Sequence, residues 1–243
     1  MSEPAAPTGT VERFGRPFRW FPVAVSAEAM ALAWARQEAG PAGAAVVVGR
    51  EIRPTGRRNR LWPVPSESTL TLAVILRPEL PADEGDAIWL VASSVAAEAA
   101  EIVCGRPMGT WWPDAVVDRE NDSPMAATKA EVQLGSGGVR SAVVTLRFDL
   151  GALGLGAEHR DDLTEAAFRA LDRLDHGEAD SVVPDYQRRC LLLGRRVRVL
   201  LYPKGETRGI ARGVDQRGRL ELASATGMVE HISVDALREL HTV

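Results

Sequence analysis

Arg57, Arg58 and Arg60 sit together in "GRRNRLWPVP", directly ahead of the apolar run "STLTLAVILR". Guanidinium groups stay charged at physiological pH and hold phosphate or carboxylate oxygens in a two-pronged fork, so such a loop suits an anion clamp. A reaction that drives two anions together needs fixed positive charge of this kind. The plainer alternative is a solvated basic loop shaped by Pro63 and Pro65. Lys129 is the second candidate. The chain's 29 basic residues include only two lysines, Lys129 and Lys204, so a lysine opening a strand stands out. It either brings an ammonium to a cleft or guards an edge strand against aggregation. Asp114, in "WWPDA", adds a carboxylate, and Trp111 and Trp112 either line a pocket or fill the core.

Other reactive types offer less. Cys104 and Cys190 make neither a disulfide framework nor a metal set. Cys104 reads as a small buried hydrophobe, and no histidine lies near it to support a thioester-forming nucleophile. The four histidines show no ligand spacing, so no metal site is expected. A net charge of −4 gives no basic field for nucleic acid. No apolar run reads as a membrane span and no signal peptide opens the chain, so the expected location is cytoplasmic, with no membrane partner.

These residues need a scaffold. Residues 1–16 are rich in Pro, Ala and Thr and read as a disordered arm, leaving a main domain at 17–193. Ser26 caps a predicted helix over 27–38, stopped by Gly40 and Pro41. "AAVVVG" at 44–49 is a short strand, and the loop at 50–67 is long for a compact domain. The strand at 68–77 is apolar on both faces, as under helices. Residues 85–105 read as a helix burying Ile88, Val91, Val95, Ala99, Ile102 and Val103, ended by Gly105. Strands follow at 115–119, 128–134 and 139–150, the last two joined by a "GSGG" turn. A helix over 161–176 buries Leu163, Ala167, Leu171 and Leu174. From 194 to 243, short strands at regular spacing predict a small β-barrel. The fold class is α+β, a mixed sheet flanked by helices with a small C-terminal SH3-like barrel.

This order of elements resembles the biotin/lipoate–protein ligase family over roughly residues 18–243. The family's basic loop, like GRGRxGRxW, matches "PTGRRNRLW", keeping Gly56, Arg57, Arg60 and Trp62 and placing Pro54, Thr55 and Asn59 at other positions of the pattern. Its KWPND turn matches "WWPDA", keeping Trp112 and Pro113, with Asp114 in place of asparagine. Its strand lysine falls on Lys129, and its Ser-Thr-Asn at the first helix falls on Ser26, Ala27 and Glu28. The resemblance implies ATP-dependent formation of an acyl-adenylate, with Mg2+, from a small carboxylic acid such as biotin or lipoate. The acyl group then passes to a lysine of a carrier-protein domain, and a homodimer is an open expectation. Lys129 and Arg57 are the implied catalytic residues. Ser26, Glu51, Gly56, Arg57, Arg60, Trp62, Trp112, Asp114 and Lys129 are the implied substrate and nucleotide contacts. The arginine loop is expected to close over the adenylate and exclude water. Glu28 and Thr55 depart from the biotin-recognising pattern, which sets the acid's identity apart from the chemistry. The alternative is a degenerate, ligase-like protein that binds an acid, a nucleotide or a carrier domain without turnover.

Overall fold

The structure, a computed structural model, describes residues 9–62, 68–175 and 179–243. Eight strands build the main sheet: β1 (Val11–Arg13), β2 (Arg16–Ala24), β3 (Ala45–Glu51), β4 (Thr69–Leu76), β5 (Met108–Trp111), β6 (Ala115–Asp118), β7 (Pro124–Gly135) and β8 (Gly138–Asp149). They lie in the order β1-β2-β3-β4-β8-β7-β6-β5. Among the described strands only β2 and β3 pair in parallel, and such a pair needs a crossover. Helix α1 (Ala27–Gln37) supplies it, capped by Ser26, whose Oγ accepts the Ala29 N–H.

The two faces of the sheet are covered unequally. On one, α1 packs Ala31 and Trp34 against Val46, Val48, Ala73, Ile75 and Val143. Against the other lie α2 (Ala87–Cys104) and, beyond the single turn α3 (Leu150–Leu153), α4 (Arg160–Asp175) and α5 (Ala179–Arg189). Every residue of β4 is buried, as its unbroken apolar run requires. The segment 82–104 is long and apolar enough to cross a membrane, contrary to the expectation that no run is. It is instead the core helix of this fold, buried along most of its length.

A second sheet follows: β9 (Arg196–Leu201), β10 (Glu206–Val214), β11 (Leu220–Ala223), β12 (Val229–Ile232) and β13 (Leu237–Thr242), in the order β12-β11-β10-β9-β13. Among the described residues no ladder joins β12 to β13, so the expected barrel is an open sheet. Its buried residues, among them Val199, Leu220 and Ile232, belong to the same apolar cluster as the main core. The contact between the sheets is close. Trp112 Nε1 donates to the Gly218 carbonyl at 3.0 Å, and Asp86 Oδ2 accepts the Val234 N–H at 2.9 Å. Gly218 has φ +87°, and a Cβ there would come within 2.4 Å of the Asp86 carbonyl carbon.

Several elements differ from the sequence reading. Residues 11–13 form β1 rather than part of a loose arm, because they pair with β2 in a three-residue hairpin ladder. Ile102 is 61% exposed, since the helical stripe from Ala99 passes through Val103 instead. Strands β2, β5 and β13 and helix α5 went unread. In α5 the reason is Pro184, which sits inside the helix where proline is normally a stop signal. Pro63, Pro65 and His176 lie outside the described residues. Substituting Gly218→Ala sets a side chain against the α2 backbone at a left-handed position. Urea denaturation should show a loss of roughly 2 kcal/mol, and an unchanged midpoint would mean the sheets do not depend on this approach.

Candidate functional site at the junction of the two sheets

Strand alternation turns Lys129 on β7 and Arg147 on β8 toward the α1 side of the sheet. Both are buried, at 4% and 1% exposure, so each cation needs a carboxylate partner. Lys129 Nζ lies 2.8 Å from Glu28 on α1 and 2.8 Å from Glu131, two residues along its own strand. Arg147 Nε donates to Glu51 Oε2 at 2.8 Å, and Thr71 Oγ1 reaches the same oxygen. The other Glu51 oxygen accepts the Ala27 N–H at the start of α1. Burial alone would lower the Lys129 pKa, but its hydrogen bonds to Glu131 and Glu28 outweigh this and hold it above the ordinary lysine value. The amine is therefore charged. Glu28 Oε2, Arg147 Nη1 and Thr145 Oγ1 are buried without a hydrogen-bond partner among the described residues.

The arginine loop makes a tight turn at Arg57–Asn59, with Arg58 and Asn59 at φ 54° and 57°. Asparagine tolerates that left-handed region better than most residues, which suits Asn59 to a position where the ligase pattern has glycine. An arginine there is strained by about 1 kcal/mol or more and must be held by its contacts. Those contacts lie mainly on the second sheet. Arg57 Nη1 donates to the Leu237 carbonyl at 2.5 Å, and its Nε pairs with Asp114 at 3.1 Å. Arg58 donates to the Asp235 and Leu237 carbonyls and stacks 3.6 Å from the centre of the Tyr202 ring. Arg60 pairs with Glu239 at 3.3 Å. Burial pushes the Asp114 carboxyl up, against the opposing pull of Arg57.

Two cavities flank Arg57. One, of about 450 Å3, is lined by Gly56, Arg57, Arg60, Trp62, Trp111, Trp112, Asp114 and Thr128, with Glu239 and His241 of β13. The other, of about 620 Å3, is lined by Arg57, Arg58, Asp86, Trp89, Lys129, Glu131, Arg217 and Arg219. Most of the sequence-predicted residues thus gather around Arg57, and Lys129 shares the larger cavity with it. Ser26 and Glu51 line neither. Ser26 caps α1, and Glu51 anchors Arg147 and the start of α1, so both act as supports here. Lys129 is no edge-strand residue, because β7 lies between β6 and β8. Trp112 is core with its indole N–H satisfied, whereas Trp111 is half-buried on a cavity wall. Asp118 and Asp122, outside both cavities, pair with Arg106 and Arg195. Burial pushes the Cys190 thiol up, away from nucleophile character.

Sequence reasoning named Arg58 with the basic loop but not among the implied contacts, and it left Glu131, Arg147, Trp89, Arg217 and Arg219 off the site. Two of them carried a signal. Glu131 follows Lys129 at the strand period, and Arg147 interrupts an apolar strand. Glu28 was noted only as a departure from a pattern. Its contact with Lys129 spans 101 positions and left no local trace.

Comparison with known proteins places this geometry. Residues 192–236 match the model of the biotin protein ligase C terminal domain. The chain superposes on a biotin protein ligase from Aquifex aeolicus in complex with biotin and ATP, with a TM-score of 0.71 at 18% identity, covering 93% of this chain and 99% of that one. The chain has the biotin protein ligase fold. A biotin protein ligase-like protein of unknown function from Silicibacter sp. TM1040 aligns with a TM-score of 0.67 at 17% identity, over 90% of this chain and 95% of that one. The biotin acetyl coenzyme A carboxylase synthetase of Helicobacter pylori, with bound biotinylated ATP, gives 0.62 at 15% identity, over 88% and 98%. No characterised protein matches by sequence.

The latch between the arginine loop and β13 is testable by hydrogen exchange. Arg58→Ala removes the stacked cation and its carbonyl contacts together. Exchange at the Asn59 and Arg60 amides should then speed up at least tenfold, while the β4 amides stay protected. Equal exchange in parent and variant would show that the loop holds its shape without the second sheet.

Proposed function

We propose that this protein is an ATP-dependent ligase that activates a small carboxylic acid as its adenylate and passes the acyl group to an amine, such as a carrier-domain lysine. The observation that carries the reading is the shared cavity of Arg57, on the loop between β3 and β4, and Lys129, on β7, in a biotin protein ligase fold. We place the division of labour near residue 193. Residues 17–193 carry the chemistry, and residues 194–243 cover the cleft.

In the first step a carboxylate oxygen attacks the α-phosphorus of ATP, forming the mixed anhydride. The bond from that phosphorus to its bridging oxygen breaks, and pyrophosphate leaves with the electron pair. The amine then attacks the acyl carbon and AMP departs. Both anions of the first step approach one point, where Arg57 and Lys129 offset the charge that develops. To serve in this way Arg57 exchanges Asp114 and the Leu237 carbonyl for phosphate oxygens. The loop would then move from its place on β13 onto the nucleotide, closing the site to water. Trp62 and Trp111, on the smaller cavity, offer flat surfaces for a base.

Among the described residues, no three His, Cys, Asp or Glu side chains converge as a metal cage. Mg2+ at ATP sites ordinarily takes one or two carboxylates with phosphate oxygens and water, and the residues here fit that form. Asp114, beside Arg57, is the residue that would hold it once Arg57 turns to phosphate, and the ion would neutralise triphosphate charge.

One observation favours the second reading, a ligase-like binding protein without turnover. Lys129, Arg57, Arg58 and Arg60 are all already engaged by protein groups. Acid-dependent exchange of labelled pyrophosphate into ATP separates the two. With biotin, lipoate, octanoate and a panel of amino-bearing acids, the ligase gives exchange with at least one. Arg57→Ala should cut that rate about a hundredfold, the scale of one oriented charge in a water-excluded site. Silence across the panel, with nucleotide binding still seen by calorimetry, would establish the binding protein instead.

A further inference from the structure

A second pair of arginines reaches the larger cavity from the other sheet. Arg217 and Arg219 flank Gly218 in the turn between β10 and β11. The turn is fixed both to the main domain and to itself. Gly218 packs against the Asp86 backbone with no room for a side chain, and its carbonyl accepts the Trp112 indole N–H. Asp215 Oδ1 accepts the backbone N–H groups of both arginines. Their guanidinium groups are held differently. Arg219 bonds through Nε and Nη2 to Asp215, whose side chain is largely buried. Arg217 pairs with Asp83 at 2.6 Å, where the two side chains are 45% and 58% exposed. An exposed pair of that kind holds weakly, and a guanidinium leaves it readily for a phosphate, which accepts both prongs of the fork.

With Arg57, Arg58 and Lys129, five cations line this cavity against four carboxylates. Arg57 borders both cavities. A nucleotide whose base lies on Trp62 or Trp111 and whose α-phosphate reaches Arg57 therefore runs its remaining phosphates into the larger cavity. We propose that the turn Arg217–Gly218–Arg219 is a diphosphate seat, with Arg217 as the direct ligand and Arg219 as its neighbour braced by Asp215. Before transfer the seat holds the β- and γ-phosphates. When the bond from the α-phosphorus to its bridging oxygen breaks, pyrophosphate leaves with the electron pair, and Arg217, having exchanged Asp83 for phosphate oxygens, offsets that charge. Assigning the phosphates to a nucleotide rests on the ligase reading, but the seat itself requires no turnover.

Calorimetry on the full chain with inorganic pyrophosphate tests the seat. The parent should bind it, and Arg217→Ala should weaken binding by at least about fivefold, the scale of one charge-assisted hydrogen bond. Asp83→Ala breaks the same ion pair from the other side and frees Arg217, so it should leave pyrophosphate binding unchanged or tighten it. Arg208→Ala removes one positive charge elsewhere on the second sheet and should leave binding unchanged. A parent that binds no pyrophosphate overturns the seat, as does a smaller loss in Arg217→Ala. Equal losses in Arg217→Ala and Asp83→Ala also overturn it, because they would make the pair a structural brace. So does an equal loss in Arg208→Ala, which would make the effect one of overall charge. The exchange assay keeps the seat and the ligase apart. Pyrophosphate binding that depends on Arg217, without exchange in the parent, preserves the seat and fails the ligase. Exchange that Arg217→Ala leaves at the parental rate and the parental KM for pyrophosphate does the reverse.

Discussion

A buried lysine ammonium held by two carboxylates is the interaction on which the site depends. Removing charge from water costs several kcal/mol per ion, and Lys129 can stay charged only because Glu28 and Glu131 reach it. Those partners come from different elements, so the pair fixes α1 against the face of the sheet formed by β7. The Arg147–Glu51 pair does the same for β8 and β3, and through the Ala27 amide it sets where α1 begins. The polar half of that face is therefore a scaffold. Of the two readings the sequence allowed for Lys129, the edge-strand guard falls, because the residue is buried on an interior strand and its removal would leave Glu28 buried and unpaired.

The second constraint lies across the cleft. The loop with three arginines is pinned on the second sheet by the Leu237 carbonyl and Glu239 carboxylate of β13, the Asp235 carbonyl just ahead of it and the Tyr202 ring just after β9. That contact explains how Arg58 is held in a left-handed conformation, and it joins the two sheets where the cavities open. The guanidinium groups now satisfy backbone oxygens, which are neutral acceptors. A phosphate is a stronger partner for the same fork. The arrangement stores the cations near the place where the proposed chemistry would use them.

Much of this was legible in the sequence, for identifiable reasons. Ser26 capping a helix, the fully apolar β4, Gly105 ending α2 and the "GSGG" turn are local signals, and each forms the element it predicts. Arg57, Arg60, Trp62 and Asp114 were found through the order and spacing of short motifs, and they line one cavity. What stayed hidden is what depends on long-range pairing. Strand β13 is short and carries charged residues, so it was not read, yet it holds the arginine loop. Glu28 looked like a departure from a pattern until the fold set it against Lys129. Glu51 looked like a contact for substrate, and the fold spends it on Arg147.

A double-mutant cycle on Glu28→Gln and Lys129→Met, followed by urea denaturation, tests the central claim most directly. A buried, directly bonded pair predicts that the double variant is more stable than the two single losses imply. The coupling should be about 2 kcal/mol, because each single change strands a buried group that the double change does not. Losses that add to within about 0.5 kcal/mol would contradict the account, since they would mean that Lys129 and Glu28 do not hold each other in the folded protein.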